Sequence, residues 1–344
     1  MSPVHLLVHA HGVSAAIAVD DPELEAYWRR WLEPFFVVER LAGPAPASWS
    51  LEVTVGAPVA ADRPAREGRP VTLHSEQRGT AFADDEGVEH VARDDGLAAY
   101  ELDRAARRLR LRYAGEQARA AALDSLQVVR GVLVDELEAR GWMRLHAAIV
   151  ALDGKGVALI GPKGSGKTSF LLGALAHVEC DYVTNDKCLV RAGPDRTWEA
   201  IALPYAVAAP PPAVDELSAA FSRIADRRTM NGKVYVWPQD LAQALDRPIE
   251  WRVTLGAVAA CEFDLAAPGI ETAWGREELV PPGTREAALS TRDRVTPEWA
   301  LGDTHAAAPE AYAPFFRSLE HGRIGGNPWR DEGWSRFARF LREL

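Results

Sequence analysis

What this sequence lacks narrows its class more quickly than what it contains. Cysteine is scarce, with only Cys180, Cys188 and Cys261, an odd number without C-x-x-C spacing. That argues against a disulfide framework and a thiolate zinc site, and it fits a reducing cytoplasm. No apolar run approaches the roughly eighteen residues that a membrane-spanning helix needs, so no membrane span is expected. The mostly apolar Val13–Val19 has no basic flank before it, and His5, His9 and His11 interrupt the region, so it reads as a strand and not as a signal peptide. Positive charge is also short: 39 Lys and Arg against 49 Asp and Glu leave a formal charge of -10. A broad nucleic-acid footprint and a face for anionic lipid both need clustered positive charge, so neither partner is expected. Internal repeats, the Asn-Lys-x-Asp of GTPases and the Leu-Ser-Gly-Gly signal of transporter ATPases are absent as well.

What is present is ordinary for a globular protein. With 344 residues, 47% hydrophobic and 26% charged, the chain is long enough for two domains with proper cores. Residues 1–115 read as a smaller α+β domain. Asp21 caps a helix over Pro22–Glu33, with Leu24, Tyr27, Trp28, Trp31 and Leu32 as its apolar stripe. Ser50–Val55 and Arg108–Tyr113 alternate as strands, the latter with three arginines opposite Leu109, Leu111 and Tyr113. Ala60–Pro70 and Asp84–Gly87 read as loops. An amphipathic helix over Gln117–Arg140, stopped by Gly141, opens the second domain, 116–344.

Within that domain Leu145–Leu152 and Gly156–Ile160 are β-rich, and Asp153-Gly154-Lys155 between them is short enough for a hairpin. Ordinary parallel nucleotide-binding folds reach the strand before their phosphate loop by a crossover, whereas here an antiparallel partner precedes it. Further strands are expected at Asp181–Thr184, Lys187–Arg191, Trp198–Leu203, Lys233–Trp237 and Val253–Phe263. Ala209–Ala213 reads as a stiff proline-rich surface stretch, Val214–Ala225 as a helix, and Pro309–Leu344 as mostly helical with an irregular insert at Gly322–Gly333. Trp329 and Trp334 in that insert and beside it are candidates for lining a binding surface.

The chemistry centres on Gly161-Pro162-Lys163-Gly164-Ser165-Gly166-Lys167-Thr168, followed by Ser169. Glycines let successive backbone N–H groups curl around phosphates without a Cβ in the way, Lys167 adds a point charge, and Thr168 offers a hydroxyl to Mg²⁺ at a helix start. The motif follows a strand pattern and precedes a helix pattern, the context it requires. Ser165 is small enough to fit, while Lys163 either meets phosphate or points into water. Asp186, nineteen residues after Lys167 and at a strand end, is ionised at neutral pH and suits proton acceptance or metal ligation. A turn aspartate beside Asn185 is the plainer alternative. His146, opening the first hairpin strand among apolar neighbours, is either a proton-handling group or a hydrogen-bonded core histidine. Lys233, after the Asn231-Gly232 turn, is the strongest candidate for a substrate or phosphate contact, with Arg228 behind it and Arg227 beside that.

Taken together, the hairpin with His146, the phosphate loop and Thr184-Asn185-Asp186 resemble the HPr kinase/phosphorylase family and the wider HPr-kinase-like proteins with a phosphoenolpyruvate-carboxykinase-like nucleotide fold. The resemblance covers about Leu126–Arg191, continues weakly to Leu241, and leaves the N-terminal 115 residues unmatched. It implies a mixed-sheet α/β kinase domain, a loop Lys and hydroxyl in Lys167 and Thr168, a strand-opening His146, and Asp186 activating an acceptor serine. Asn185 stands where the true HPr kinases usually carry Asp, Thr168-Ser169 replaces Ser-Glu, and the Glu-Ile-Arg-Gly-Leu-Gly signature is missing. The departures point away from HPr as substrate and toward the relatives of modified-peptide and secondary-metabolite pathways.

The expectation is therefore a cytoplasmic ATP- and Mg²⁺-dependent kinase acting on a Ser/Thr hydroxyl of a peptide or protein, including a modified-peptide precursor. A small-molecule hydroxyl kinase and a nucleotide-binding partner protein without transfer are the alternatives. The oligomeric state stays open, a homo-oligomer included.

Overall fold

The computed structural model describes residues 3–56, 68–72, 78–114, 118–193, 195, 197–289 and 307–344, with backbone only at 72 and 118–123. They fall into two compact units that divide after Arg140. Most of the expected Ala60–Pro70 loop, the helix start at Gln117 and Pro194 lie outside the described residues.

The first unit is a sheet built from β1 (Val4–Ala10), β2 (Val13–Val19), β3 (Val37–Leu41), β4 (Trp49–Val55), β5 (Arg69–Thr72), β6 (Arg78–Ala83), β7 (Glu89–Arg93), β8 (Ala98–Asp103) and β9 (Arg108–Tyr113). Their order across the sheet is β3-β1-β2-β4-β9-β8-β7-β6-β5. The period-2 pattern is clean: Val13, Ala15, Ile17 and Val19 are buried, as are Leu51, Val53, Leu109 and Leu111. On β9 the alternate positions are Arg108, Arg110 and Arg112, and Arg110 bridges Glu52 at 3.1 Å and Glu101 at 3.2 Å across the strands. Helix α1 (Pro22–Leu32) starts where Asp21 accepts from the Glu23 and Leu24 amides, a cap that contributes about 1 kcal/mol.

Helix α2 (Ala118–Glu138) packs on α1, β2 and β4. Buried hydrogen bonds fix it there: Asp124 accepts from the hydroxyls of Tyr100 (2.6 Å) and Tyr113, Trp28 Nε1 donates to Ser125 Oγ, and Trp49 Nε1 donates to Glu136. The helix therefore belongs to the first unit, and the boundary expected after residue 115 moves to 140. Sequence periodicity reported an apolar face on α2 but not which sheet it covers.

In the second unit a mixed sheet runs β10 (Met143–Leu145), β14 (Cys188–Ala192), β15 (Trp198–Ala202), β19 (Arg252–Phe263), β12 (Lys155–Ile160), β11 (Ala148–Leu152), β13 (Asp181–Thr184). β21 (Glu320–Gly326) adds parallel to β19, and β20 (Ile270–Trp274) adds antiparallel to β21. The hairpin is present: β11 and β12 pair antiparallel around Asp153 and Gly154, both at positive φ, while β12 lies parallel to β19 on its other side. Helix α3 (Lys167–His177) follows the glycine loop and packs Phe170, Leu171 and Leu175 into a core with Val157, Leu159, Ala257, Trp334 and Phe337.

Several expectations change here. Leu145–Leu152 is not one strand, because β10 pairs with β14 and β11 pairs with β12, so the chain must break at His146–Ala147 to change partners. The proline-rich stretch is not surface filler: Val207–Ala209 is strand β16, Pro211 opens the short helix α4 (Pro211–Glu216), and Ala209 and Ala213 are buried. The single helix over Val214–Ala225 is instead α4 followed by α5 (Ser218–Phe221). β17 (Arg227–Met230) was not foreseen; it pairs with β18 (Lys233–Val236), which pairs with β16. The irregular insert Gly322–Gly333 contains part of β21, whose glycines fit close approach: a Cβ at Gly322 would overlap the Trp274 ring. Trp329 and Trp334 are buried in the core and line no surface. No helix among the described residues is long and apolar enough to cross a membrane.

Candidate phosphate-binding site

The glycine loop closes between the end of β12 and the start of α3, and its shape is set by the backbone. Gly166 sits at φ 94°, and a Cβ there would stand 2.6 Å from Cβ of Phe263, so only glycine fits. Phe263 at the end of β19 holds the loop in turn, its amide donating to Ser165 O at 3.2 Å. Gly166 also precedes the first turn of α3 without a side-chain cap, which leaves the helix's amide donors for an anion.

Lys167 is buried, with 8% of its surface exposed, and its ammonium donates to the carbonyls of Gly161 at 2.7 Å and Pro162 at 3.3 Å. Burial lowers its pKa; Cys261 and Asp186 pull the other way, and the neighbouring Lys233 lowers it further. Two polar atoms near this lysine have no hydrogen-bond partner in the structure, Ser165 Oγ in the loop and Asn185 Oδ1 in the turn after β13. Each costs about 1–3 kcal/mol when left unpaired in the interior. Asn185 lines the cleft described next, where a bound polar ligand would remove that cost, whereas Ser165 Oγ packs back against Gly161.

A cleft of about 450 Å³ opens over the loop, lined by Lys163, Gly164, Gly166, Lys167, Thr168 and Ser169 from the loop and helix, His146, Asn185 and Asp186, and Pro210, Pro212, Lys233 and Phe263. The turn carrying Asp186 is closed by Thr184 Oγ1 donating to Lys187 O at 2.9 Å. His146 emerges from the break between β10 and β11, its amide donating to Ala288 O, and its Nε2 lies 3.0 Å from Asp186 Oδ1. Thus the residues picked out for the chemistry, separated by up to eighty-seven positions between His146 and Lys233, share one cavity.

Others do not reach it. Gly161, Pro162 and Ser165 shape the loop without lining the cleft, and Gly161 and Pro162 serve as acceptors for Lys167. Arg228 is absent from the lining, and Arg227 is turned to donate to Phe221 O. Phe263, Pro210 and Pro212 were missed: a phenylalanine ending a strand reads as core, and only the parallel pairing of β12 with β19 brings it to the loop.

Among the described residues no group of three or more His, Cys, Asp or Glu offers a metal cage. Thr168 and Asp186, two oxygen donors in one cleft, suit instead an ion that keeps waters and takes phosphate oxygens, which is the habit of Mg²⁺.

No family model matches this chain, and no curated protein matches it. Among solved structures, the Hpr(Ser) kinase/phosphatase from Coxiella burnetii aligns with 59% of this chain and 99% of its own, at 12% identity and a TM-score of 0.27. That likeness is slight, and the reading of the cleft rests on the residues within it.

Proposed function

We propose that this protein is a kinase that transfers the γ-phosphate of ATP to a Ser or Thr hydroxyl of a peptide or protein. The observation that carries the reading is the His146–Asp186 contact at 3.0 Å inside the cleft that also holds the phosphate loop, Thr168 and Lys233. A phosphate loop alone accounts for binding. A carboxylate held by an imidazole in the same cavity adds the group that transfer requires.

In this reading the loop amides and the N-terminus of α3 hold the phosphates, and Lys167 neutralises their charge. Thr168 and Asp186 hold Mg²⁺, which supplies charge neutralisation at the phosphates when bound. Asp186, fixed through Oδ1 by His146, orients the acceptor hydroxyl and takes its proton. The acceptor oxygen forms a bond to the γ-phosphorus as the bond from that phosphorus to the β–γ bridging oxygen breaks, and ADP leaves. Lys233, in the same cleft, would meet the charge that develops on the transferred group.

The test is γ-labelled ATP with a serine-peptide mixture and the purified chain. Wild-type protein should label peptide, and Asp186→Asn should reduce labelling by about 10²–10⁴-fold at saturating ATP and Mg²⁺. Equal labelling by the variant would remove Asp186 from its role, and tight ATP binding without any transfer would leave a nucleotide-binding protein.

A further inference from the structure

Arg228 lies outside the cleft, yet strand register ties it to a residue inside. In the antiparallel pair β17·β18, Arg228 stands opposite Tyr235 and Met230 opposite Lys233. Directly opposed residues share a face, so Arg228, Met230, Lys233 and Tyr235 lie on one side of this small sheet. Under β16 and β18 the other side is the buried one: Val236, Val207 and Ala209 belong to the core and Val234 packs against it, whereas on the edge strand β17 Arg227 and Thr229 on that side are exposed too. The face turned from the core carries Arg228, half-buried, Lys233, Tyr235 and Met230, 56% exposed, and it runs into the cleft through Lys233. The Asn231-Gly232 turn, with φ 52° and 71°, is the tight hairpin type that fixes this register. Among the described residues β17 pairs only with β18, leaving the outer edge of β17 open to a further strand.

The charge of this face is out of keeping with the chain, whose net charge is -10. A cationic, partly apolar sheet face joined to a phosphoryl-transfer cleft matches a polypeptide whose acidic side chains flank its hydroxyl. Building on the kinase reading, we infer that the β17–β18 face docks the acceptor as an extended peptide along the edge of β17, selecting acidic residues beside the phosphorylated Ser or Thr. Main-chain pairing supplies affinity without sequence preference, and Arg228 with Lys233 supplies the charge preference.

The experiment uses the full chain, γ-labelled ATP and synthetic serine peptides that differ only in bearing Glu, Ala or Lys at the flanking positions, with wild type and Arg228→Glu compared. ATP titration of each protein reports whether the cleft is folded. The expected result is wild-type labelling of Glu-flanked over Lys-flanked peptide on the order of tenfold, weakened by salt, with the order inverted by Arg228→Glu. N-methylation of alternate peptide amides should also lower labelling, because edge pairing uses every second amide. Equal labelling of all flanks, or a preference unchanged in Arg228→Glu, overturns the docking face and leaves phosphoryl transfer standing. Transfer to a free hydroxyl compound such as glycerol with none to any peptide does the same. Absence of ATP binding by wild type overturns the kinase reading and the docking face with it.

Discussion

Two places in the molecule treat buried polar groups differently, the seat of α2 in the first unit and the glycine loop in the second. In the first, such groups join the sheet and α1 to α2: Tyr100 and Tyr113 both donate to Asp124, Trp28 to Ser125, and Trp49 with Arg107 to Glu136. In the second, around the glycine loop, Ser165 Oγ and Asn185 Oδ1 have no partner and a buried ammonium rests on two carbonyls. Paired polar groups specify packing. An unpaired one lining an open cleft, Asn185 Oδ1, holds hydrogen-bonding capacity for something that arrives.

The largest test of that contrast is Asp124→Ala. It leaves two buried phenol hydroxyls without their acceptor, at about 1–3 kcal/mol each, so a loss of roughly 2–5 kcal/mol is expected in denaturant unfolding. ATP affinity of the protein that remains folded should be unchanged, and a parallel loss of affinity would break the division of labour.

An alkaline pH series loads both units, through buried phenols in the first and buried thiols with one phenol in the second. Burial first, and then the Asp124 carboxylate, hold the Tyr100 and Tyr113 hydroxyls well above their ordinary pKa. The native state thus keeps protons that the unfolded chain gives up, and this stabilisation, whole below the ordinary tyrosine pKa of about 10, is lost as pH rises beyond it. Burial lowers the pKa of Lys167, so its own contribution rises with pH between that lowered value and the ordinary lysine value of about 10.4. Burial raises Cys180, Tyr182, Cys188 and Cys261 in the same unit, however, and their four contributions fall as pH passes the ordinary thiol and phenol values. Hydrogen exchange read segment by segment from neutral to alkaline pH should show protection falling in β8 and β9 and in β13, β14 and β19 as well. ATP affinity should fall over the lysine window, since the phosphates favour the charged ammonium.

The smallest effect is at Ser165. Ser165→Ala removes a hydroxyl without a hydrogen-bond partner, so the ligand-free protein should keep or gain up to about 1 kcal/mol, measured by thermal unfolding. A clear loss would show that this oxygen is satisfied and that the contrast is weaker than drawn.

Much of the site was legible because its signals are local. The glycine loop, the lysine and hydroxyl after it, the Asp153-Gly154 hairpin and the acid after the next strand are all short-range patterns with a mechanical reason at each position. The fold beyond them was less so. β17 was not foreseen because Arg-Arg-Thr-Met does not alternate visibly, and it becomes a strand only by pairing with β18 across the Asn231-Gly232 turn. β21 is rich in glycine, a poor strand former that persists here beside β19 and β20. Arg228 was picked out for a substrate or phosphate contact; it does not line the cleft, and the register puts it on the face it shares with Lys233.

By itself the sequence singled out the glycine loop as the candidate phosphate site, since such a loop depends on backbone freedom and one charge at fixed spacing. It also named His146, Asp186 and Lys233 as separate candidates. Only the tertiary structure decided that these lie in one place: β11 is antiparallel to the strand before the loop and β13 antiparallel to β11, so His146 and Asp186 arrive at the loop's end of that sheet, while Lys233 comes to the cleft from the separate β16–β18–β17 sheet. The break at His146 has the same origin, because strand partners are chosen by pairing across the sheet and not by the residues of the strand alone.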